Sequence, residues 1–164
     1  MKTFGPIAFF VAALLTANSP AAAGSKSDGT AAFAKGNYYA AAARAHPLAE
    51  RGNPQAQALL GFMYEYGRGV PQDYTTAVYW YRCAAEQDYS TAQYLLGLMY
   101  EKGLGVEQSD TLAYTWLNRA AAHAPTSTKE YYTRIRNAVA AKLTAAQIAD
   151  ARLLASRLIP SAHR

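Results

Sequence analysis

One block of this sequence occurs twice, and that constrains the fold more than any other feature. Ala56–Ala85 reads AQALLGFMYEYGRGVPQDYTTAVYWYRCAA and Ala92–Ala121 reads AQYLLGLMYEKGLGVEQSDTLAYTWLNRAA, 36 residues apart with no insertion or deletion. Ala56/Ala92, Leu60/Leu96, Gly61/Gly97, Met63/Met99, Tyr64/Tyr100, Glu65/Glu101, Gly67/Gly103, Gly69/Gly105, Val70/Val106, Ala77/Ala113 and Trp80/Trp116 all coincide. A fixed period of this length marks an array of supersecondary units rather than one closed domain.

Each unit reads as a helical hairpin. Ala56, Leu59, Leu60, Met63 and Tyr64 fall at helical spacing and make one apolar stripe. Gly67 and Gly69 end that helix, because glycine takes the left-handed conformation of a helix C-terminus, and Pro71 cannot continue it. Asp73 is placed to cap a second helix on which Ala77, Trp80, Tyr81 and Ala84 share a face. In the next copy Ser109 or Asp110 takes the capping part before Ala113, Trp116, Leu117 and Ala120. One hairpin cannot cover its own stripes, so the hairpins must stack, the alanines and Gly61/Gly97 allowing close helix approach.

The pattern A-x-x-x-L-G-x-M-Y-x-x-G-x-G-V followed by A-x-x-W-x-x-x-A-A resembles the Sel1-like repeat family, relatives of the tetratricopeptide repeats. The resemblance is strong from Asn53 to about His123 and weaker over Tyr38–Gly52, where Tyr38/Tyr74, Ala41/Ala77, Ala49/Ala85 and Glu50/Glu86 keep the same offset. It implies an all-α fold, a right-handed superhelical α/α solenoid of short hairpins. It also implies that the first helix of each hairpin lines a concave surface. Gln55, Ala58, Phe62 and Glu65 would then form one row of a partner-binding groove, and Thr91, Tyr94, Leu98 and Glu101 the next. The spacing i, i+3, i+7, i+10 keeps each row on one helical face. Phe62/Leu98 and Ala58/Tyr94 differ between copies while their neighbours do not, as expected where each repeat meets a different ligand contact. The alternative is that these side chains pack beneath the terminal helices.

The chain divides accordingly. Residues 1–23 read as a signal peptide, with Lys2 in a short basic n-region, an apolar core over Ile7–Leu15 and a small-residue cleavage site at Ala21–Ala23. The apolar run is short for a membrane span. The expectation is an exported protein cleaved near Ala23, with the bacterial periplasm as its compartment. Residues 24–36 read as a flexible lead and the start of a first helix, with Gly24–Thr30 polar and disordered. Residues 37–126 read as the solenoid (a partial repeat at 37–52, full repeats at 53–88 and 89–124). Pro47 is expected to bend the helix of the partial repeat. Cys83 is the only cysteine, which excludes an intramolecular disulfide. Its counterpart Arg119 suggests an outward position, open to another chain.

Residues 127–164 read as a basic C-terminal pair of capping helices. Ala124-Pro125-Thr126 breaks the repeat pattern, and Ser127/Glu130 and Thr144/Gln147 have capping-box spacing. Tyr132, Ile135 and Val139 line the first helix; Ile148, Ala151, Leu154, Ala155 and Leu158 line the second, which Pro160 stops. Of the net charge of +5, nearly all that remains beyond residue 23 lies here: seven Lys/Arg against Glu130 and Asp150, while residues 24–126 carry eight Lys/Arg and nine Asp/Glu. A polar outer face is what a terminal helix needs for solubility. The same face offers weak contact with anionic surfaces, fading as salt rises.

Nothing in the sequence points to catalysis. His46, His123 and His163 lack companions at metal-ligand spacing, and no G-x-S-x-G, S-x-x-K, H-E-x-x-H or C-x-x-C occurs. Gly67-x-Gly69 lacks the third glycine and preceding strand of a nucleotide loop. Glu65 and Glu101 occupy equivalent places in two repeats, so repetition explains them. The cell-wall or β-lactam hydrolase activity ascribed to cysteine-rich members of the family stands as the alternative, without the cysteines that mark that branch. The reading is a non-enzymatic module with no cofactor and no nucleic-acid partner, binding a protein or peptide of the cell envelope.

Overall fold

A computed structural model describes residues 29–157; the leader, Leu158, Pro160 and His163 lie outside the described residues. Within them the regular structure is helical throughout. The helices are α1 (Thr30–Ala34), α2 (Tyr38–Glu50), α3 (Pro54–Tyr66), α4 (Tyr74–Ala85), α5 (Ser90–Lys102), α6 (Asp110–His123), α7 (Thr126–Ala140) and α8 (Ala145–Arg157). None is long and apolar enough to cross a membrane.

The helix starts follow from local chemistry. Asn53 accepts the amide of Ala56 with Pro54 in the first turn, Asp73 accepts from Thr75 and Thr76, and Ser109, rather than Asp110, accepts from Leu112. Gly67 and Gly103 close α3 and α5 in the left-handed conformation. The second glycine of each loop answers a further demand. At Gly69 and Gly105 φ is positive, and an added Cβ would stand 2.4 Å from the carbonyl of Tyr38 or Tyr74. Each loop therefore presses on the first turn of the preceding second helix, which fixes the step between repeats.

Within a hairpin the approach is equally close. Tyr81 crosses Gly61, and Leu117 crosses Gly97, with no room for a side chain between. Ala77, Trp80, Tyr81 and Ala84 are buried, as are Ala113, Trp116, Leu117 and Ala120. Two buried glutamines join the layers: Gln57 Nε2 donates to the carbonyl of Ala49 and Gln93 Nε2 to that of Ala85, each at 3.0 Å. Each of these carbonyls also accepts a backbone amide, from Gly52 and Asp88, so the glutamine fills its second acceptor position. α2 runs unbroken through Pro47 and buries Ala41, Ala45 and Ala49 as the second helix of a preceding hairpin.

The C-terminal segment departs from the sequence expectation in three ways. First, the repeat does not break at Pro125: α3, α5 and α7 begin at residues 54, 90 and 126, so the backbone period carries on where the consensus fails. Second, Ser127 caps nothing. α7 begins at Thr126 behind Pro125 with no side-chain cap, whereas Thr144 and Gln147 do form a reciprocal capping box on α8. Third, α7 and α8 do not close into a hairpin, and α8 rests on α6. Thr133 stands where the full repeats have Gly61 and Gly97. No glycine is there for a second helix to cross closely, and α8 lies on α6, burying Ala151 and Ala155 and leaving Leu154 37% exposed. Thr115 and Arg119 of α6 donate to the carbonyls of Ala151 and Ala155. Arg119 is thus covered and pairs with Asp88, so it is no guide to an outward Cys83; Cys83 is nonetheless partly exposed, since among the described residues no helix lies over α4 as α8 lies over α6.

Candidate functional site

The first helices α3, α5 and α7 stand side by side, and the sequence-predicted groove lies along them. The structure divides its eight residues. Gln55, Glu65, Leu98 and Glu101 are partly exposed. Ala58, Phe62, Thr91 and Tyr94 are buried, at 0%, 2%, 5% and 2% exposure. They point at neighbouring helices rather than at a ligand. Tyr94 stacks on Tyr132 with ring centroids 4.6 Å apart, and Tyr132 donates to Thr91 Oγ1. Phe62 meets Phe33 edge-on at 5.6 Å. Phe62 thus packs against α1, and Thr91 and Tyr94 against α7, as the alternative of packing beneath the terminal helices has it; Ala58 is buried as well. The corresponding positions of α7, Ser127, Glu130, Arg134 and Asn137, are exposed and polar, which is how the stack ends without a greasy face.

What remains open sits toward the C-terminal ends of α3 and α5. There Glu65 and Glu101 are joined by Tyr66 and Lys102, one residue further on, both exposed. Those two were missed; the signal was that Tyr66 and Lys102 differ between copies directly after an invariant glutamate. Leu98 supplies a partly exposed aliphatic contact between them.

The two glutamates are held differently. Tyr81, fully buried, donates its hydroxyl to Glu65 Oε2 at 2.6 Å. Leu117 replaces Tyr81 in the next repeat, and Glu101 instead takes the ammonium of Lys142 at 2.9 Å, with Asp110 at 3.8 Å from the same nitrogen. Burial raises the Glu65 carboxyl above its ordinary value, opposed by the hydroxyls of Tyr81 and Tyr66 and by the charge of Lys102. Burial and the adjoining Glu65 also push the Tyr66 hydroxyl up. Lys142 is raised by the carboxylates it serves.

As chemistry, this surface offers fixed carboxylates, phenol rings and a leucine, a set suited to holding a polypeptide. Among the described residues no group of three His, Cys, Asp or Glu could hold a metal ion. Cys83 is raised by burial, so its thiol form is favoured and its nucleophilicity suppressed.

Comparison with known proteins agrees with the architecture. The Sel1 repeat model matches residues 54–89 and 90–124. The crystal structure of a protective antigen of uropathogenic Escherichia coli, described as displaying an SLR fold, is similar with a TM-score of 0.74 and 30% identity, over 93% of this chain and 32% of that one. A Sel1 repeat protein from Oxalobacter formigenes is similar with a TM-score of 0.57 and 34% identity, over 60% of this chain and 40% of that one. The chain therefore spans well under half the length of these two proteins. No curated protein matches it significantly.

Proposed function

Since the chain is a helical repeat protein carrying two Sel1 repeats, units that commonly mediate protein–protein contacts and are generally non-enzymatic scaffolds, we propose that it is an interaction module of the bacterial cell envelope. It takes a peptide or protein partner along the open part of the concave surface, over Glu65, Tyr66, Leu98, Glu101 and Lys102. The observation that carries this reading is the pairing of a rigid frame with an unfilled strip. Glycine C-caps, loop contacts and buried glutamines fix α3 and α5, and the open residue after the shared glutamate differs, Tyr66 in one repeat and Lys102 in the next. A partner meeting such a surface orders few protein side chains, so little of the contact free energy is lost to entropy. The signal-peptide pattern read in the sequence over residues 1–23 supports the envelope as the setting.

The test is cross-linking in cells with a photoreactive residue at position 98, followed by mass spectrometry of the adducts. One dominant adduct is expected; with the photoreactive residue moved to position 102, it should be lost in a Leu98→Arg variant that melts like wild type. Absence of any adduct at 98 and at 102 would overturn the reading.

A further inference from the structure

At Glu101 the chain supplies its own cation, Lys142. Its equivalent Glu65 has none: among the described residues no lysine or arginine comes within ion-pair distance. Among the described residues its carboxylate accepts the hydroxyl of Tyr81, and the hydroxyl of Tyr66 acts on it as well. A carboxylate has room for about four donors, so part of its capacity is unused. Tyr66 is 40% exposed beside it, and its ring lies 4.5 Å from that of Phe62. A desolvated carboxylate next to an exposed aromatic face is the environment that favours an ammonium or guanidinium group.

We propose that Glu65 and Tyr66 form a subsite for a lysine or arginine side chain of the bound polypeptide. The inference rests on the groove reading above and assigns one contact within it. Lys142 on Glu101 is the intramolecular counterpart, filling at the closed end of the array the place that a partner fills at Glu65. The raised Glu65 carboxyl accords with a carboxylate lacking its cation. Lys102 acts on Glu65 through its field alone and makes the protein's own competitor for the subsite.

The test uses the isotope-labelled protein and two short, end-blocked peptides of leucine and alanine, one with a central lysine and one with norleucine there, followed by heteronuclear NMR. The lysine peptide should shift the amides of Glu65 and Tyr66 saturably and bind about tenfold more tightly than the norleucine peptide, the scale of one charge-assisted hydrogen bond. Glu65→Gln, which keeps an acceptor for Tyr81, should erase that difference, and Lys102→Met should widen it. Should Glu65→Gln melt early, Tyr66→Leu at an exposed position provides the second variant and should weaken only the lysine peptide. Equal binding of the two peptides, with shifts still seen at Leu98, would overturn the cation subsite and leave the groove standing. No shift anywhere along the strip would overturn both.

Discussion

Gly61→Ala should destabilise the protein by about 3 kcal/mol, even though alanine is the better helix former. Replacing a mid-helix glycine by alanine in isolation gains roughly 1 kcal/mol. Here the added methyl would stand 2.5 and 2.6 Å from Cδ1 and Cε1 of Tyr81 and 3.1 Å from its Cγ. The ring cannot swing aside, being fully buried with its hydroxyl on Glu65 at 2.6 Å. Contact at normal carbon separation requires the ring to retreat by about an ångström. Overpacking of this kind costs about 1–3 kcal/mol, and breaking a hydrogen bond to a charged group about 1.5–3 kcal/mol more. Less the helical gain, the net is about 1.5–5 kcal/mol. For a chain of this size each kcal/mol lowers Tm by about 2–4 °C, so circular dichroism melts should show a fall of roughly 6–12 °C for the central value. The same substitution in a Tyr81→Ala background should turn stabilising, because the obstacle is gone. If Gly61→Ala alone melts at or above wild type, the two helices are not as close as described and the account of the hairpin fails.

Four further outcomes follow from the packing. Tyr94→Ala should cost about 3–5 kcal/mol in denaturant unfolding, since it removes a buried ring stacked on Tyr132; a cost below 1 kcal/mol would return Tyr94 to the groove. Leu117→Ala should cost about 2–5 kcal/mol, whereas Leu153→Ala at the equivalent place should stay within about 0.5 kcal/mol, because Leu153 is 51% exposed on the unclosed third hairpin. Glu65→Gln tests the buried carboxyl through pH. A folded-state pKa above the ordinary 4.5 means that the native state binds the proton more tightly, so this group's contribution falls as pH rises through and above that value. The variant should therefore gain on wild type between acid and neutral pH in paired urea titrations, and a difference flat across that range would refute the assignment. Disrupting the Asp88–Arg119 pair with Asp88→Ala should loosen α8, read as faster hydrogen exchange at Ala151 and Ala155; unchanged protection there would show that Arg119 does not depend on it.

The repeated hairpins were legible because the same packing problem is solved twice with the same residues. Gly61 and Gly97 meet a crossing helix, Gly69 and Gly105 meet a carbonyl, and the tryptophans are buried in both copies. The third first helix was not legible. α7 keeps the 36-residue step, yet Thr133 replaces the glycine and Tyr132 stands for Leu96, because an end unit is released from fitting a successor. The groove assignment failed by half for a related reason. Phe62 and Tyr94 vary between copies because the rings they touch vary, Phe33 for one and Tyr132 for the other. Difference between repeats was read as ligand contact where it recorded a change of neighbour. Gln57 and Gln93 show the converse: identical polar residues inside an apolar stripe were a signal of buried hydrogen bonds.

The threonine at position 133 also dictates how such an array can lengthen. Hairpins added beyond Arg157 would find no complementary seat, because the last helix has turned back and the face of α7 is polar. A duplicate of 36 residues spliced between Tyr89 and Ser90 would instead meet, on either side, the surfaces its parent already fits. An array of this kind lengthens by intercalation, its C-terminal closure kept while the interior is copied.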